Sequence, residues 1–263
     1  MILKTALRVF AVFLWALIST PTISLAQQST PLDQVEQEAI KALILQTIRE
    51  NPDVLVDTLL AFQEEAEAAA QAQQRAAIQR VGELLRTDAN TGVMGNPEGD
   101  IVLVEFFDYN CPYCRQVASV MAEAEAGDPE LRVVYKEFPI LGPGSVFAAK
   151  AALAADRQGR YVEFHKALMD ADSRVDETSV LAIAEEVGLD VERLKQDMQD
   201  PAIQAEIDGN LELAQALRIT GTPGFVIGDE FVRGATDLET MTGLIEAARN
   251  GKAAGPAAME NAD

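Results

Sequence analysis

The 263-residue sequence contains only two cysteines and a single histidine. A structural zinc site needs four ligands, and attachment of a haem needs a histidine directly after a Cys-x-x-Cys pair, where this chain has Arg115. Basic residues are also scarce, with 21 lysines and arginines against 42 aspartates and glutamates. This balance argues against nucleic acid or an anionic membrane as a partner, because both require basic patches.

The N-terminus has the pattern of an export signal. Lys4 and Arg8 precede an apolar stretch from residue 9 to 18, and Ser24-Leu25-Ala26 supplies the small residues that a signal peptidase prefers. We predict cleavage after Ala26, which leaves 19 basic and 42 acidic residues and a net charge of −23. No later run is long and apolar enough to span a bilayer, so a soluble mature protein is expected. An uncleaved anchor is the alternative.

Both cysteines lie where a predicted strand meets a predicted helix. The run from Ile101 to Phe107 is β-branched and aromatic, which is typical of a strand buried on both faces. The apolar spacing after Pro112 predicts a helix to about residue 126, so Cys111 falls at its N-terminus. Free backbone N–H groups and the helix dipole favour a thiolate there.

Cys114 lies one helical turn after Cys111, on the same face. It is therefore placed to attack a mixed disulfide formed at Cys111 and to release the bound partner. A purely structural disulfide would add little stability, because it closes a very short loop. A site for Cu(I) remains open, because two thiolates alone can hold that ion.

A second motif, Thr220 to Gly228, places Thr222-Pro223 directly before the apolar strand Phe225-Val226-Ile227. Together with Cys-Pro-Tyr-Cys at a helix start, this motif resembles the thioredoxin-like superfamily, and within it the periplasmic DsbA-like thiol–disulfide proteins. The resemblance implies that Pro223 is cis and packs against the cysteine pair. It also implies that Thr222 offers its backbone to an extended substrate segment, with Pro112 and Tyr113 beside it.

The region before the motif is rich in Ala, Gln and Glu and has no glycine before Gly82. Two helices are predicted, from about Leu32 to Glu50 and from Asn51-Pro52-Asp53 to about Leu85. The second helix has the spacing of a coiled-coil seam at Leu55, Leu59, Phe62, Ala66, Ala69 and Gln73, resumed at Ala77, Val81 and Leu84. It could fold back on the catalytic domain or associate with other chains.

Residues 48 to 56 resemble the N-terminal extension of the suppressor-of-copper-sensitivity C type of DsbA-like protein, which forms trimers in some members. We therefore predict an α/β thioredoxin-like fold with an inserted helical subdomain, preceded by an N-terminal helical oligomerisation module. The predicted layout is a signal peptide (1–26), the oligomerisation region (27–88), a turn-rich linker (89–100), the DsbA-like domain (101–250, with its helical insertion at about 145–217) and a flexible tail (251–263).

Glu105 is an ionisable residue inside the apolar strand, where an unpaired carboxylate is costly. DsbA-like proteins have a glutamate at the matching place that aids proton transfer at the buried cysteine, and Lys136 resembles the basic residue near it. An edge position, with Glu105 facing water, is the alternative. His165 is predicted to be a packing or surface residue and not catalytic.

The resemblance implies a periplasmic thiol–disulfide oxidoreductase that needs no organic cofactor or metal and acts on protein substrates with cysteines. The predicted residues are Cys111, Cys114, Pro223 and Glu105 for catalysis. A disulfide isomerase or reductase is favoured, with a homotrimeric assembly and a membrane partner of the DsbD reductase type before the DsbB oxidase type. A monomeric DsbA-like oxidase and a Cu(I)-binding copper-tolerance protein are the alternatives.

Overall fold

A computed structural model describes residues 33–87 and 92–253. The predicted signal peptide, residues 27–32 and 88 of the predicted oligomerisation region, residues 89–91 of the predicted linker and residues 254–263 of the predicted tail lie outside the described residues. The chain divides into two compact units after Ala61. None of the helices in the described segments is long and apolar enough to cross a membrane.

The first unit contains helix α1 (Gln34–Glu50) and the beginning of α2 (Pro52–Thr87). Asp33 and Glu36 form a capping box that starts α1, as each side chain accepts a hydrogen bond from the other residue's backbone N–H. No residue of α1 is buried. Large apolar side chains are exposed along both helices of this unit, including Val35, Leu43, Ile44, Val54 and Leu59.

The second unit is built on a five-stranded sheet in the order β1-β3-β2-β4-β5. The central strand β2 (Ile101–Phe107) is followed by α3 (Pro112–Gly127) and by β3 (Leu131–Glu137), which pairs parallel with β2. This confirms the predicted βαβ unit. Strands β4 (Gly224–Ile227) and β5 (Glu230–Arg233) form the predicted hairpin, whose two-residue turn places Gly228 at φ +60°.

Strand β1 (Val93–Gly95) pairs antiparallel with β3 at the edge of the sheet. The sequence prediction placed these residues in a linker, which is wrong for this segment. Three residues are too few to show a period of two, and Gly92 and Gly95 on either side resemble turn residues.

Five helices form the insertion between β3 and β4, and a last helix, α9 (Leu238–Ala253), follows the hairpin. The insertion consists of α4 (Pro143–Asp156), α5 (Tyr161–Met169), α6 (Glu177–Glu186), α7 (Val191–Asp197) and α8 (Pro201–Ala216). Asp200 caps α8 and Pro201 is its first residue, which is why the chain breaks between α7 and α8. The predicted helical insertion is confirmed.

The pleat of β2 divides the core between two faces of the sheet. One face packs against α3, α4, α5 and α9. The other contains Val104 and Phe106, and it is covered by α8 and by the C-terminal part of α2, where Ile78 and Leu85 are each 2% exposed. The Gln74 amide also donates to the Leu217 carbonyl over 2.9 Å.

These contacts place residues 62–87 with the second unit, whereas the prediction ended the N-terminal region at residue 88. The fully buried side chains are Ile78 and Leu85, whereas of the predicted seam Ala77 and Val81 are partly buried against the same core and Leu84 is 56% exposed. Here the helix packs on the face of a sheet, and its buried stripe includes only part of the predicted seam.

Candidate active site

The two cysteines lie at the start of α3, as predicted. Cys111 is the N-cap residue and Pro112 is the first residue of the helix. Cys111 is 4% exposed, Cys114 is fully buried, and both are free thiols in this structure. The two cysteines therefore differ in environment although they lie only one turn apart.

This difference separates their acidities. A hydrogen bond from the Cys114 side chain is the largest cause that lowers the pKa of Cys111 to about 5. The backbone N–H groups of Cys114 and Tyr113 add to the effect, and partial burial opposes it. Burial raises the pKa of the Cys114 thiol well above its ordinary value, and the hydrogen bond to Cys111 acts in the same direction. At neutral pH, Cys111 is thus a thiolate and Cys114 keeps its proton.

The turn before β4 brings a distant part of the chain against Cys111. The Thr222–Pro223 peptide bond is cis, as the resemblance implied, and Cys111 Sγ lies 3.3 Å from the Thr222 carbonyl oxygen, to which the protonated thiol donates. Pro112 and Tyr113 are exposed beside this contact, and Tyr113 is 60% exposed. The residues predicted to bind substrate therefore gather around one sulfur atom.

Glu105 lies on the central strand and is 2% exposed, so the alternative of an edge position facing water is wrong. Its carboxyl lines a cavity of about 250 Å³ together with Cys114, Tyr135 and His165. Among the described residues, Glu105 Oε1 has no hydrogen-bond partner. Burial, and secondly the negative charge of Cys111, raise the pKa of Glu105 to about 8. The carboxyl thus titrates close to neutral pH and shares a cavity with the buried thiol.

Lys136 is placed differently from the prediction that puts it near Glu105. In the register of the parallel strands, Glu105 lies beside Tyr135, and Lys136 lies beside Phe106. Neighbouring residues of paired strands share a face and successive residues alternate, so the backbone directs Lys136 to the other face of the sheet. The cross-strand neighbours of Glu105 are therefore Tyr135 on β3 and Phe225 on β4.

The short loop between β2 and Cys111 is fixed by polar side chains that the sequence prediction missed. Asp108 accepts from the Asn110 backbone over 2.8 Å and from the Leu141 backbone over 2.9 Å. Asn110 exchanges hydrogen bonds with the backbone of Val175, of 3.0 and 2.8 Å. These contacts tie the segment before Cys111 to the helical insertion. The only sequence signal was a set of polar residues between a strand and a cysteine.

Arg115 completes this anchoring from the helix side. Its Nε donates to the Tyr109 carbonyl over 2.8 Å and its Nη1 donates to the Ala171 carbonyl over 2.7 Å. Arg115 also lines the cavity that contains Glu105 and Cys114. Arg115 therefore connects the active-site loop to the helical insertion.

A buried polar cluster lies on the same side of the sheet as the cavity. The hydroxyl groups of Tyr109 and Tyr161 both donate to Glu137 Oε1 over 3.0 Å, and the Tyr109 hydroxyl lies 3.1 Å from His165 Nδ1. All four residues are at most 4% exposed. His165 is thus a buried residue, and burial lowers its pKa to about 3, so its imidazole is neutral.

Comparison with known proteins agrees with this arrangement. The model of the DSBA-like thioredoxin domain matches residues 102–246, which is more than half of the chain. A thioredoxin-like oxidoreductase from Silicibacter pomeroyi DSS-3 is 49% identical in sequence, with a TM-score of 0.63. The alignment covers 64% of this chain and 97% of the Silicibacter protein.

A linker-deletion mutant of ScsC from Proteus mirabilis aligns over a longer part of the chain. It is 26% identical with a TM-score of 0.65, and the alignment covers 85% of this chain and 99% of the ScsC mutant. This coverage includes residues before the thioredoxin-like domain, because that domain alone is shorter than the aligned part.

The chain also resembles the Na(+)/H(+) antiporter NhaA of Herminiimonas arsenicoxydans, with 30% identity over 161 residues. These residues are 60% of this chain but only 26% of the antiporter, so the chain spans about a quarter of the length of such curated relatives. The matched family domain, the sheet order and the cysteine pair at the start of α3 lead to one conclusion. The chain belongs to the DSBA-like thioredoxin domain family and is similar to ScsC.

Proposed function

We propose that the protein is a periplasmic thiol–disulfide oxidoreductase that acts as an isomerase or reductase on misbonded or oxidised secreted proteins. The observation that carries this proposal is the contrast between the two thiols. Cys111 at the helix N-terminus has a pKa of about 5, and Cys114 is fully buried one turn later. A stable thiolate next to a protonated resolving thiol is suited to disulfide exchange.

In the reductive direction, the Cys111 thiolate attacks one sulfur of a substrate disulfide. A bond forms between Cys111 and that sulfur, and the other substrate sulfur leaves as a thiolate. Cys114 then loses its proton and attacks Cys111 Sγ, which forms the Cys111–Cys114 disulfide and releases the first substrate sulfur as a thiolate. In isomerisation, another substrate thiolate attacks the mixed disulfide instead, and Cys111 leaves as a thiolate.

Glu105 is the proposed proton acceptor for Cys114. The two groups line the same cavity, and the pKa of Glu105 is about 8. A base whose pKa lies near the working pH can both take up a proton and return it. This supports Glu105 as the group that takes the Cys114 proton when Cys114 attacks, and returns it when Cys114 is the leaving group.

Substrate binding is proposed at the exposed surface around Cys111. The Thr222 backbone would pair with an extended substrate segment, as an added strand pairs with a sheet edge. Tyr113 would supply apolar contact, because it is 60% exposed next to the reactive sulfur. Pro112 would restrict the backbone directly after Cys111, and Pro223 would restrict the turn that contacts Cys111, since a proline ring fixes one main-chain angle.

The choice of isomerase over oxidase rests on the N-terminal helices. α1 has no buried residue, and large apolar side chains are exposed on both helices of the first unit. An exposed apolar surface of this kind indicates an interaction site. We propose that residues 27–61 associate three chains, so that several active sites engage one misbonded substrate, and that a DsbD-type membrane reductase keeps Cys111 reduced.

Refolding of a scrambled multi-disulfide protein tests this proposal. The reduced mature protein is expected to restore the native disulfides of scrambled ribonuclease, whereas a simple oxidase would act only on reduced ribonuclease. A Cu(I)-delivery protein, the second candidate because two adjacent thiolates suit Cu(I), would retain the ion against a chelator and show no turnover with either substrate. Oxidation of reduced ribonuclease without repair of the scrambled form would contradict isomerase function.

A further inference from the structure

The buried cluster of Tyr109, Glu137, Tyr161 and His165 is not used by the exchange reaction described above. We propose that the chain Glu137–Tyr109–His165 is a second proton store for Cys114, connected to that thiol through the cavity beneath the cysteine pair. This inference rests on the proposed function, because a resolving thiol must lose and regain a proton. His165 and Tyr109 would carry the proton between the cavity and Glu137, and neither bonds to the substrate.

The hydrogen bonds of the cluster determine which nitrogen of His165 carries the proton. The Tyr109 hydroxyl has one proton, which it donates to Glu137 Oε1 at 3.0 Å. Its contact of 3.1 Å with His165 Nδ1 is then a hydrogen bond only if Nδ1 donates to the hydroxyl oxygen. With Glu137 ionised, His165 therefore carries its proton on Nδ1, and Nε2 has a free lone pair.

Protonation of Glu137 reverses this chain. The carboxyl then donates to the Tyr109 oxygen, the Tyr109 hydroxyl donates to His165 Nδ1, and the proton of the imidazole moves to Nε2. His165 is neutral in both forms, which agrees with a pKa held at about 3 by burial and by the nearby charge of Lys166. The two forms of Glu137 thus correspond to two tautomers of His165.

The cavity connects this chain to the reacting thiol. His165, Glu105 and Cys114 all line the same cavity of about 250 Å³. A water molecule occupies about 30 Å³ in the liquid, so the cavity can hold several waters. Glu105 and Arg115 both line the cavity, and each has a buried atom, Glu105 Oε1 and Arg115 Nη2, without a hydrogen-bond partner among the described residues. A cavity of this size that contains several polar side chains among apolar ones is suited to a short chain of water.

The relay moves one proton and leaves no charge on His165 or Tyr109. When Cys114 attacks the mixed disulfide, its proton passes through cavity water to His165 Nε2. The Nδ1 proton moves to the Tyr109 oxygen, and the Tyr109 hydroxyl proton moves to Glu137 Oε1. The net change is one proton moved from Cys114 to Glu137, without an imidazolium or a phenolate. The reverse path protonates Cys114 when it leaves as a thiolate.

Other charged groups surround the relay and affect its pH dependence. The cavity is also lined by Glu105, Arg115, Lys166 and Asp170. Burial is the largest cause that raises the pKa of Glu137, the tyrosine hydrogen bonds oppose it, and the charges of Glu206 and Asp108 add to it. A glutamate with a raised pKa binds a proton more readily than an exposed one, as a proton store requires.

The experiment compares two tyrosines whose hydroxyl groups both donate a hydrogen bond to Glu137 Oε1. Tyr109→Phe interrupts the relay, whereas Tyr161→Phe removes an equal hydrogen bond from Glu137 Oε1 and leaves the relay complete. Glu137→Gln keeps an acceptor oxygen but cannot store the proton. The reduced protein is mixed with oxidised glutathione between pH 6 and 9, quenched with acid at timed intervals and analysed by mass. Formation and resolution of the glutathione adduct then give separate rate constants.

We expect Tyr109→Phe and Glu137→Gln to slow resolution of the adduct by about tenfold below pH 8. General acid–base catalysis contributes about 10²–10⁴-fold, and Glu105 remains as a second proton acceptor. Tyr161→Phe should stay within about twofold of the wild type. Adduct formation at Cys111 should be unchanged in all three variants. The solvent deuterium isotope effect on resolution should fall in Tyr109→Phe and persist in Tyr161→Phe.

Equal slowing by Tyr109→Phe and Tyr161→Phe would overturn the relay and indicate that Glu137 only stabilises the fold. Unchanged resolution in all three variants would also overturn it, while the proposed function would stand. Absence of both the glutathione adduct and the Cys111–Cys114 disulfide in the wild-type protein would instead refute the proposed function and the relay with it. Urea unfolding of the two phenylalanine variants checks that their losses of stability match.

Discussion

Replacing Cys111 by serine is expected to reduce thiol–disulfide exchange to the rate of the buffer alone. The pKa of about 5 makes Cys111 a thiolate at neutral pH, whereas a serine hydroxyl in the same position stays protonated and is a poor nucleophile toward sulfur. The substitution is nearly isosteric at an N-cap position, where serine is favoured. The fold should therefore persist, and circular dichroism checks that it does.

Cys114→Ser is the matched variant, and its expected result is different. Cys111 can still attack a substrate disulfide, but no internal thiol remains to release the product. Mixed disulfides should therefore accumulate and be visible as adducts by mass in non-reducing conditions. Catalysis of dithiol oxidation by a variant that lacks both thiols would refute the assignment. An equal loss of exchange activity in both single variants, without adducts in either, would show that Cys114 does not resolve the mixed disulfide.

The second large effect is expected from truncating the N-terminal region at two different residues. A chain that begins at Phe62 retains the α2 residues that cover the sheet, and it is expected to be a stable monomer with dithiol exchange but without disulfide-shuffling activity. A chain that begins at Gly92 loses Ile78 and Leu85, and each buried side chain of this size contributes about 1.5–3 kcal/mol. Its free energy of unfolding should fall by about 3–6 kcal/mol.

Neighbouring leucines in α2 provide the control. Leu85 is 2% exposed and Leu84 is 56% exposed. Leu85→Ala is expected to lower the free energy of unfolding by about 2–5 kcal/mol, and Leu84→Ala by no more than about 0.5 kcal/mol. Light scattering should give three times the chain mass for residues 27–263 and one chain mass for residues 62–263. A monomeric full-length protein at micromolar concentration would contradict the trimer and favour a simple oxidase.

The catalytic motif and most elements could be predicted because their signals are local. A continuous apolar run predicted β2, and an asparagine, a proline and an acid in succession predicted the start of α2. The position of Cys111 before Pro112 predicted that Cys111 lies at the N-terminus of a helix, which the N-cap geometry confirms. The cis Pro223 required family resemblance, since nothing local distinguishes it from a trans proline.

The features that the sequence could not predict depend on register and on long-range packing. A shift of one residue along β3 determines that Tyr135 and not Lys136 lies beside Glu105. The second half of α2 has heptad spacing but is covered by a sheet, since Ile78 contacts the core on that face. Tyr109 is 28 residues from Glu137 and 56 residues from His165 along the chain, so only the fold brings them together.

The central claim is that Cys111 is an activated thiolate, and a pH titration of its ultraviolet thiolate absorbance tests it most directly. The reduced wild-type protein should show one titration near pH 5, and the thiolate should be fully formed at neutral pH. Cys111→Ser should lack this transition, because burial holds the pKa of Cys114 far above this range. A wild-type transition near the ordinary cysteine value of about 8.5 would contradict the account.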